Sequence, residues 1–337
     1  MPGIRALNRV QIGAMAALNG TTDIPTTYWR GTGVLDDLTE VQFPDEYVGI
    51  IGGVNRSYIA MTGGEIELEA DATFEQLPYL FNAGIHTVTT PTSDATGSGL
   101  LWTYNLQFAD TDPIASSDIT YLVIEAGDNQ QAEIMRSAFV REMTLSGEQG
   151  QALMVTATLE GQAVSTTTFT SGLSVPTVET ILFSKGKLYI DPSTDTAGTT
   201  QKSGTLISME LPLTTGWQKI PTGDGNLYFS QVKRVGDEGT LQITFEHDST
   251  ATAEIAAWRA QTERVIRLIW TGSALGTPGT HSTKKLTLDL YGKWSEFDTL
   301  DEADGNNRVT GTFRIGYSSG AAKKAVFSVV NELTSLP

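Results

Sequence analysis

A chain of 337 residues is long enough to bury two cores of ordinary domain size without covalent help. With no cysteine it has no disulfide framework, thiolate metal site, iron-sulfur cluster or cysteine nucleophile. Its 22 basic and 39 acidic residues give a net charge of −17, which repels phosphate backbones and anionic lipid and excludes a nucleic-acid reader built on basic contacts.

Charged residues are only 18% of the chain; 34 glycines and a threonine at about every seventh position fill the polar share. Threonine favours the pleated surface and glycine the tight turn, so the composition reads as strand and turn. No apolar run approaches the 18 or more residues of a membrane helix, and no membrane partner is expected. Arg5 and Arg9 precede a short apolar stretch that contains Gln11, which reads as a first strand more readily than as a signal peptide. The Asn-x-Ser/Thr sites at Asn19 and Asn55 matter only in a secretory pathway.

In chain order, period-two alternation and turn punctuation predict strands over 64–70, 101–108, 120–126, 139–145, 153–159, 180–190, 204–211, 240–246, 264–270, 285–291, 308–315 and 325–330. Polar stretches at 87–99 and 191–204 read as loops. Only two segments read as helices. In the first, Thr73 caps, Gln76 reaches back, and Leu77, Leu80 and Phe81 share a face, with Pro78 confining the helix to its first turns or restarting it. The second spans 252–263, with Ile255, Trp258 and Thr262 on one stripe and Glu254 and Arg259 outside. Each helix follows a strand with an acidic end, Glu69 and Asp71 before the first, Glu246 and Asp248 before the second. That match predicts an internal duplication joined near 161–175.

Enzyme-like patterns fail in detail. Gly316-Tyr317-Ser318-Ser319-Gly320 matches the hydrolase serine turn, yet His86, His247 and His281 all precede Ser318, whereas that fold places its histidine after the serine. No phosphate loop occurs. The acidic stretch 301–306 lacks the EF-hand register and reads as a solvated hairpin, and the three histidines are too scattered for a metal site. No enzyme activity and no cofactor are expected. Glu65, Glu67 and Glu69 share one strand face leading to Asp71 and Glu75, either as a solvated face that complements the first helix dipole or as part of a glycosidase pair with no positioned partner. Trp29, Trp102, Trp217 and Trp294 suit a core, an interface or a sugar-binding face.

Several segments together resemble a family. The opening VQIGAMAALNGTTDIPTTYWRGTGVLDD, then FPDEYVGIIGGVNRSY, GGEIELEADATFEQLPYLFNAGI, FVREMTLSGEQGQALMVTATLEGQ and ETILFSKGKLYIDPSTDTAGTTQKSGTLISMELPLTTG are similar to the major tail (tail tube) proteins of long, non-contractile bacteriophage tails. The resemblance implies a mainly β fold, a β-sandwich or barrel with one short helix per domain. Here it implies two tandem tail-tube-like domains, 1–165 and 166–337. It further implies a virion protein, assembled in the host cytoplasm, whose rings stack into a hollow tube for DNA ejection, with three duplicated chains giving a pseudo-sixfold ring. The implied partners are other copies of the chain and other tail proteins (tape measure, terminator, baseplate or distal tail); genomic DNA passes through the lumen without specific binding. Stacking contacts are expected on 31–47, with Asp36, Asp37, Glu40, Asp45 and Glu46, and on 191–204, with Asp191, Asp195 and Lys202. The alternatives are another phage β-sandwich part (tail terminator, baseplate hub or capsid decoration) and a secreted carbohydrate-binding or adhesin module.

Overall fold

A computed structural model describes residues 3–51, 55–106, 118–303 and 305–336. Strand makes up 50% of the chain and helix 8%, so the fold is mainly β. Its backbone is one long antiparallel sheet. In spatial order the strands are Leu35–Asp37, Gly64–Asp71, Met154–Gly161, the later part of Ala132–Glu148, Leu206–Thr214, Glu238–Glu246, Asn306–Ile315 and the end of Thr283–Phe297. Alternation decides which way each strand faces: in Gly64–Asp71 the residues Ile66, Leu68 and Ala70 are buried while Glu67, Glu69 and Asp71 are exposed.

Two strands are long enough to serve two sheets. The beginning of Ala132–Glu148 leaves the long sheet and pairs with Leu122–Gly127 and Val164–Thr167. The beginning of Thr283–Phe297 pairs with Arg264–Ala274 and Ala325–Asn331 in the same way. Past this change of sheet both strands carry a bulge, between Val140 and Glu142 in one and between Trp294 and Glu296 in the other. Ser137 takes a positive φ of 54° where the first strand turns.

The order of pairings occurs twice along the chain. Arg9–Ala14 pairs with Thr27–Trp29 and Leu122–Gly127; Gly186–Pro192 pairs with Gln201–Lys202 and Arg264–Ala274. A hairpin of Glu40–Gln42 with Tyr58–Met61 follows the edge strand Leu35–Asp37, and a hairpin of Trp217–Ile220 with Gln231–Arg234 follows Leu206–Thr214. Next in each series comes a strand of the long sheet, then a helix: α1 (Leu77–Gly84) and α2 (Ser249–Arg259). α1 packs on the first of the long bent strands and α2 on the second. Beyond the helix the two series diverge. After α1 the chain adds a strand, Leu100–Leu106, that crosses to the second series and extends its back sheet by pairing with Ala325–Asn331. Gln107 and Phe108, expected at the end of this strand, lie outside the described residues.

One continuous hydrophobic cluster runs through both series, from Ile12, Leu68 and Phe81 to Phe245, Trp270 and Trp294, where length had suggested two cores. Joining the long sheet edge to edge removes the gap between them. Trp29, Trp102, Trp217 and Trp294 are all buried, so they serve packing and line no sugar-binding face.

The helices differ from expectation in instructive ways. Gln76 N–H donates to Thr73 Oγ1 at 3.1 Å, but the Gln76 side chain donates to the Tyr28 carbonyl instead of reaching back. Pro78 sits in the first turn of α1, where a missing N–H leaves no bond unmade. α2 starts three residues before its expected boundary, because the Asp248 carboxylate accepts from the N–H groups of Thr250 and Ala251 and caps it. It also ends early, at Arg259, with Gln261 in a positive-φ conformation. Glu254, expected outside, is buried: its carboxylate accepts from Arg264 Nε at 3.1 Å and from Trp294 Nε1 at 2.9 Å.

Candidate assembly surfaces: a polar sheet face and two free edges

The long sheet has one face on the core and one facing away, and its registers identify the outer face row by row. Glu67 lies opposite Thr158, which lies opposite Glu142, then Thr214, then Glu238. Another row runs from Asp71 through Met154, Ser146, Glu210, Gln242 and Thr312 to Glu296. The face is therefore built of threonine, serine and glutamate across both series. Of its basic residues, Arg308, Arg314 and Lys293 lie on the last strands and Arg141 at the bulge of Ala132–Glu148. Glu160 lies on the same face but is buried under Arg141 and Lys219, which bond it at 2.8 and 3.2 Å. Glu65, Glu67 and Glu69 share the face as period two predicts. Glu75 does not continue it: it is buried, accepting from Lys284 Nζ and from the Glu179 N–H.

The two ends of the long sheet each leave an edge. Among the described residues, Leu35–Asp37 pairs only on its Gly64–Ile66 side, and residues 293–297 pair within this sheet only with Asn306–Ile315. Between the two series the corresponding edges are joined: residues 142–148 of the first pair with 208–214 of the second over seven residue pairs, Glu142 with Thr214 through Glu148 with Ser208.

The two hairpins present opposite surfaces. The second buries Trp217 and Val232 with Phe229 against Met15, Ile119, Tyr121, Val123 and Phe139 of the first series, and Trp217 Nε1 donates to the Gly84 carbonyl at 2.9 Å. It is pinned further by Asp237, whose buried carboxylate meets Lys324 Nζ at 2.5 Å and Arg234 at 3.0 Å. Burial pulls the Lys324 ammonium below its ordinary pKa, and Asp237 partly offsets this. The first hairpin and the turn beyond it expose Val41, Phe43, Tyr47, Ile51, Tyr58 and Ile59.

The expected contact residues divide along these lines. Asp36 and Asp37 are exposed on the free edge strand, Glu40 is exposed at the start of the first hairpin, and Glu46 forms an ion pair with Arg56 at 2.5 Å. Asp45 lies in the same connection. Asp191 is a correction: it is 2% exposed and its carboxylate accepts from the N–H groups of Gly198, Thr199 and Thr200, so it holds its own loop together and offers no contact. Asp195 is exposed in that loop, and Lys202 is half-buried in the short strand paired with Leu188–Tyr189. No described hydrogen bond or ion pair links the two groups. The outer sheet face as a whole escaped sequence reasoning, because its acids come from strands far apart in the chain and only Glu65, Glu67 and Glu69 alternate within one strand.

Ser318 is buried, and its hydroxyl donates to Glu263 at 3.3 Å across a turn closed by bonds with Lys323. His281 gives its backbone N–H to Asp94 at 2.8 Å. Asp301–Ala303 and Asn306–Arg308 form a hairpin with Gly305 at positive φ, while Asp304 lies outside the described residues. Among the described residues no cluster of three or more metal-ligating side chains occurs, and no helix is long and apolar enough to cross a membrane. No protein-family model matches the chain, and no curated protein sequence matches it.

Proposed function

We propose that the protein is a structural, self-assembling virion component: the tail tube protein of a long, non-contractile phage tail, with two tube units fused in one chain. The observation that carries this reading is the lateral union of the two series, in which one strand-pairing pattern occurs twice and the second copy is joined to the first edge to edge in a single sheet. A heterologous contact of this kind repeats, and a contact that repeats with rotation closes into a ring. Three chains would then supply six units. The first unit, expected at 1–165, extends through Val164–Thr167, which pairs with Ala132–Met135, and the second opens at Gly186–Pro192.

On this reading the outer face of the long sheet lines the bore. Threonine and serine give a hydrated, hydrogen-bonding wall, and the glutamates repel DNA phosphate within a Debye length of about 8 Å at physiological ionic strength. A conduit works by not binding its cargo. Concentrated purified protein, nucleated with the tail-tip assembly, is expected to form long hollow tubes by negative-stain microscopy, with threefold symmetry by whole chain. Discrete particles alone under those conditions would favour a terminator or decoration role. Tubes carrying Glu67→Lys and Glu69→Lys are expected to retain double-stranded DNA that unaltered tubes release; equal retention would remove the bore assignment.

A further inference from the structure

Leu100–Leu106 belongs to the first series along the chain and to the second series in space. It pairs with Ala325–Asn331 over seven residue pairs, from Leu106 opposite Ala325 to Leu100 opposite Asn331. Trp102, Tyr104 and Leu106 are fully buried. The Phe81 ring of α1 lies 5.3 Å from that of Tyr104 and 5.4 Å from that of Phe327, so helix and strand reach the second series together. A polar contact repeats the dependence. Asn331 is fully buried; its Oδ1 accepts from Trp102 Nε1 and from the Leu333 N–H, both at 3.0 Å, and its Nδ2 donates to the Phe74 carbonyl at 2.9 Å. Two of these three bonds come from the first series, and losing them would strand a buried amide.

The second series has no strand of its own for this place. Residues 85–121 separate α1 from Leu122–Gly127, whereas 260–263 alone separate α2 from Arg264–Ala274. The matching outer strand of the first series, Val164–Thr167, is nowhere buried, and among the described residues it takes a partner only on its Ala132–Met135 side. Its Val-Ser-Thr-Thr sequence suits an edge in water. Ala325–Asn331 reads Ala-Val-Phe-Ser-Val-Val-Asn with every residue but Ser328 buried. Left uncovered, that strand is an apolar edge of the kind that templates aggregation.

We propose that Leu100–Leu106 is a donated strand: the edge Ala325–Asn331 is a binding site for an extended apolar strand, filled by the first unit, and the second unit reaches its native state only with that site filled. The mode is strand addition, in which main-chain pairing gives affinity and alternate side chains, here Trp102, Tyr104 and Leu106, give specificity. Chain order suits it. Trp102 precedes Asn331 by 229 positions, and N-terminal regions fold first during synthesis, so the donor is in place before its acceptor is made. The inference concerns a single chain and does not rest on the ring reading.

A Trp102→Ala/Tyr104→Ala double variant of the full chain weakens the donor, and amide hydrogen exchange read segment by segment measures the result. Protection of Arg264–Ala274 and Ala325–Asn331 is expected to fall about 100-fold or more, while Arg9–Ala14 and Leu122–Gly127 change less than about three-fold. A fluorescently labelled peptide of residues 98–106 is expected to bind this variant and restore protection at 325–331, and to leave the unaltered protein unbound because its edge is filled. Equal loss in both units would mark Trp102 and Tyr104 as ordinary core residues and overturn the proposal. Unchanged protection at 325–331, or peptide binding to the unaltered protein at this edge, would overturn it as well. If the double variant does not fold by itself, refolding with the peptide present decides: return of the native exchange pattern supports the donated strand, and no return overturns it.

Discussion

The two hairpins follow equivalent strands of the long sheet, one at its edge and one within it, yet one hairpin is core and the other is surface. The second, at 217–234, closes over the first series and buries Trp217 completely; the first, at 40–61, exposes Val41, which faces Ile59 as Trp217 faces Arg234. Local pairing is shared, so the difference comes from surroundings: the second hairpin packs into a cluster with Met15, Ile119, Tyr121, Val123 and Phe139, and the apolar side chains of the first join no such cluster among the described residues. Burial here is set by what the hairpin packs against, not by the hairpin itself.

Substitutions in the second hairpin break this comparison most strongly. Trp217→Ala is expected to cost about 3–5 kcal/mol, since it empties a buried aromatic site and leaves the Gly84 carbonyl without its donor. Val41→Ala, at the matching position, is expected to stay within about 0.5 kcal/mol in the isolated chain. Urea denaturation of both variants measures the contrast, and equal losses would show that the hairpins are packed alike. Asp237→Ala is expected to cost about 3 kcal/mol or more in the same assay, because it strands the buried Lys324 charge.

Smaller effects sharpen the comparison. Lys219→Ala removes the ion pair that ties the second hairpin to Glu160 of the first series and is expected to cost at most about 1 kcal/mol, declining with salt. The smallest is an acid effect on the crossing segment. Asp94 accepts from the backbone N–H groups of His281 and Thr96, which hold its carboxyl at about 2, against an ordinary 3.8. A carboxylate depressed in the folded state contributes stability that is present above 3.8 and lost as pH falls through 3.8 toward 2. Faster amide exchange in the 275–282 loop is therefore expected over that window, and Asp94→Asn should abolish the pH dependence; a flat profile in the unaltered protein would refute the linkage.

Much of the fold was legible in local pattern. Alternation in GEIELEAD marks a half-buried strand and assigns its acids to one face, and the acidic residue before Ser249 marks a helix start, although Asp248 and not Thr252 proved to set it. Short strands such as Thr27–Trp29 and Gln201–Lys202 were not legible, since a pairing of two or three residues leaves too few alternations to separate it from a loop. Asp191 and Glu254 were misplaced for a related reason: a carboxylate in a polar-looking sequence reads as solvated unless its buried donors are known, and those donors come from backbone N–H groups, Arg264 and Trp294.

The sequence by itself determined that this is an acidic, cysteine-free, strand-rich chain with two short helices and a repeated strand-helix unit, because composition and periodicity are local properties. The tertiary structure alone decided that the two series share one long sheet and one continuous hydrophobic cluster, that threonines and glutamates from distant strands converge on a single outer face, and that two edges of the sheet take no strand among the described residues. Each of those depends on strand register, which brings together residues more than a hundred positions apart and is fixed by packing on the buried face, not by any short stretch of sequence.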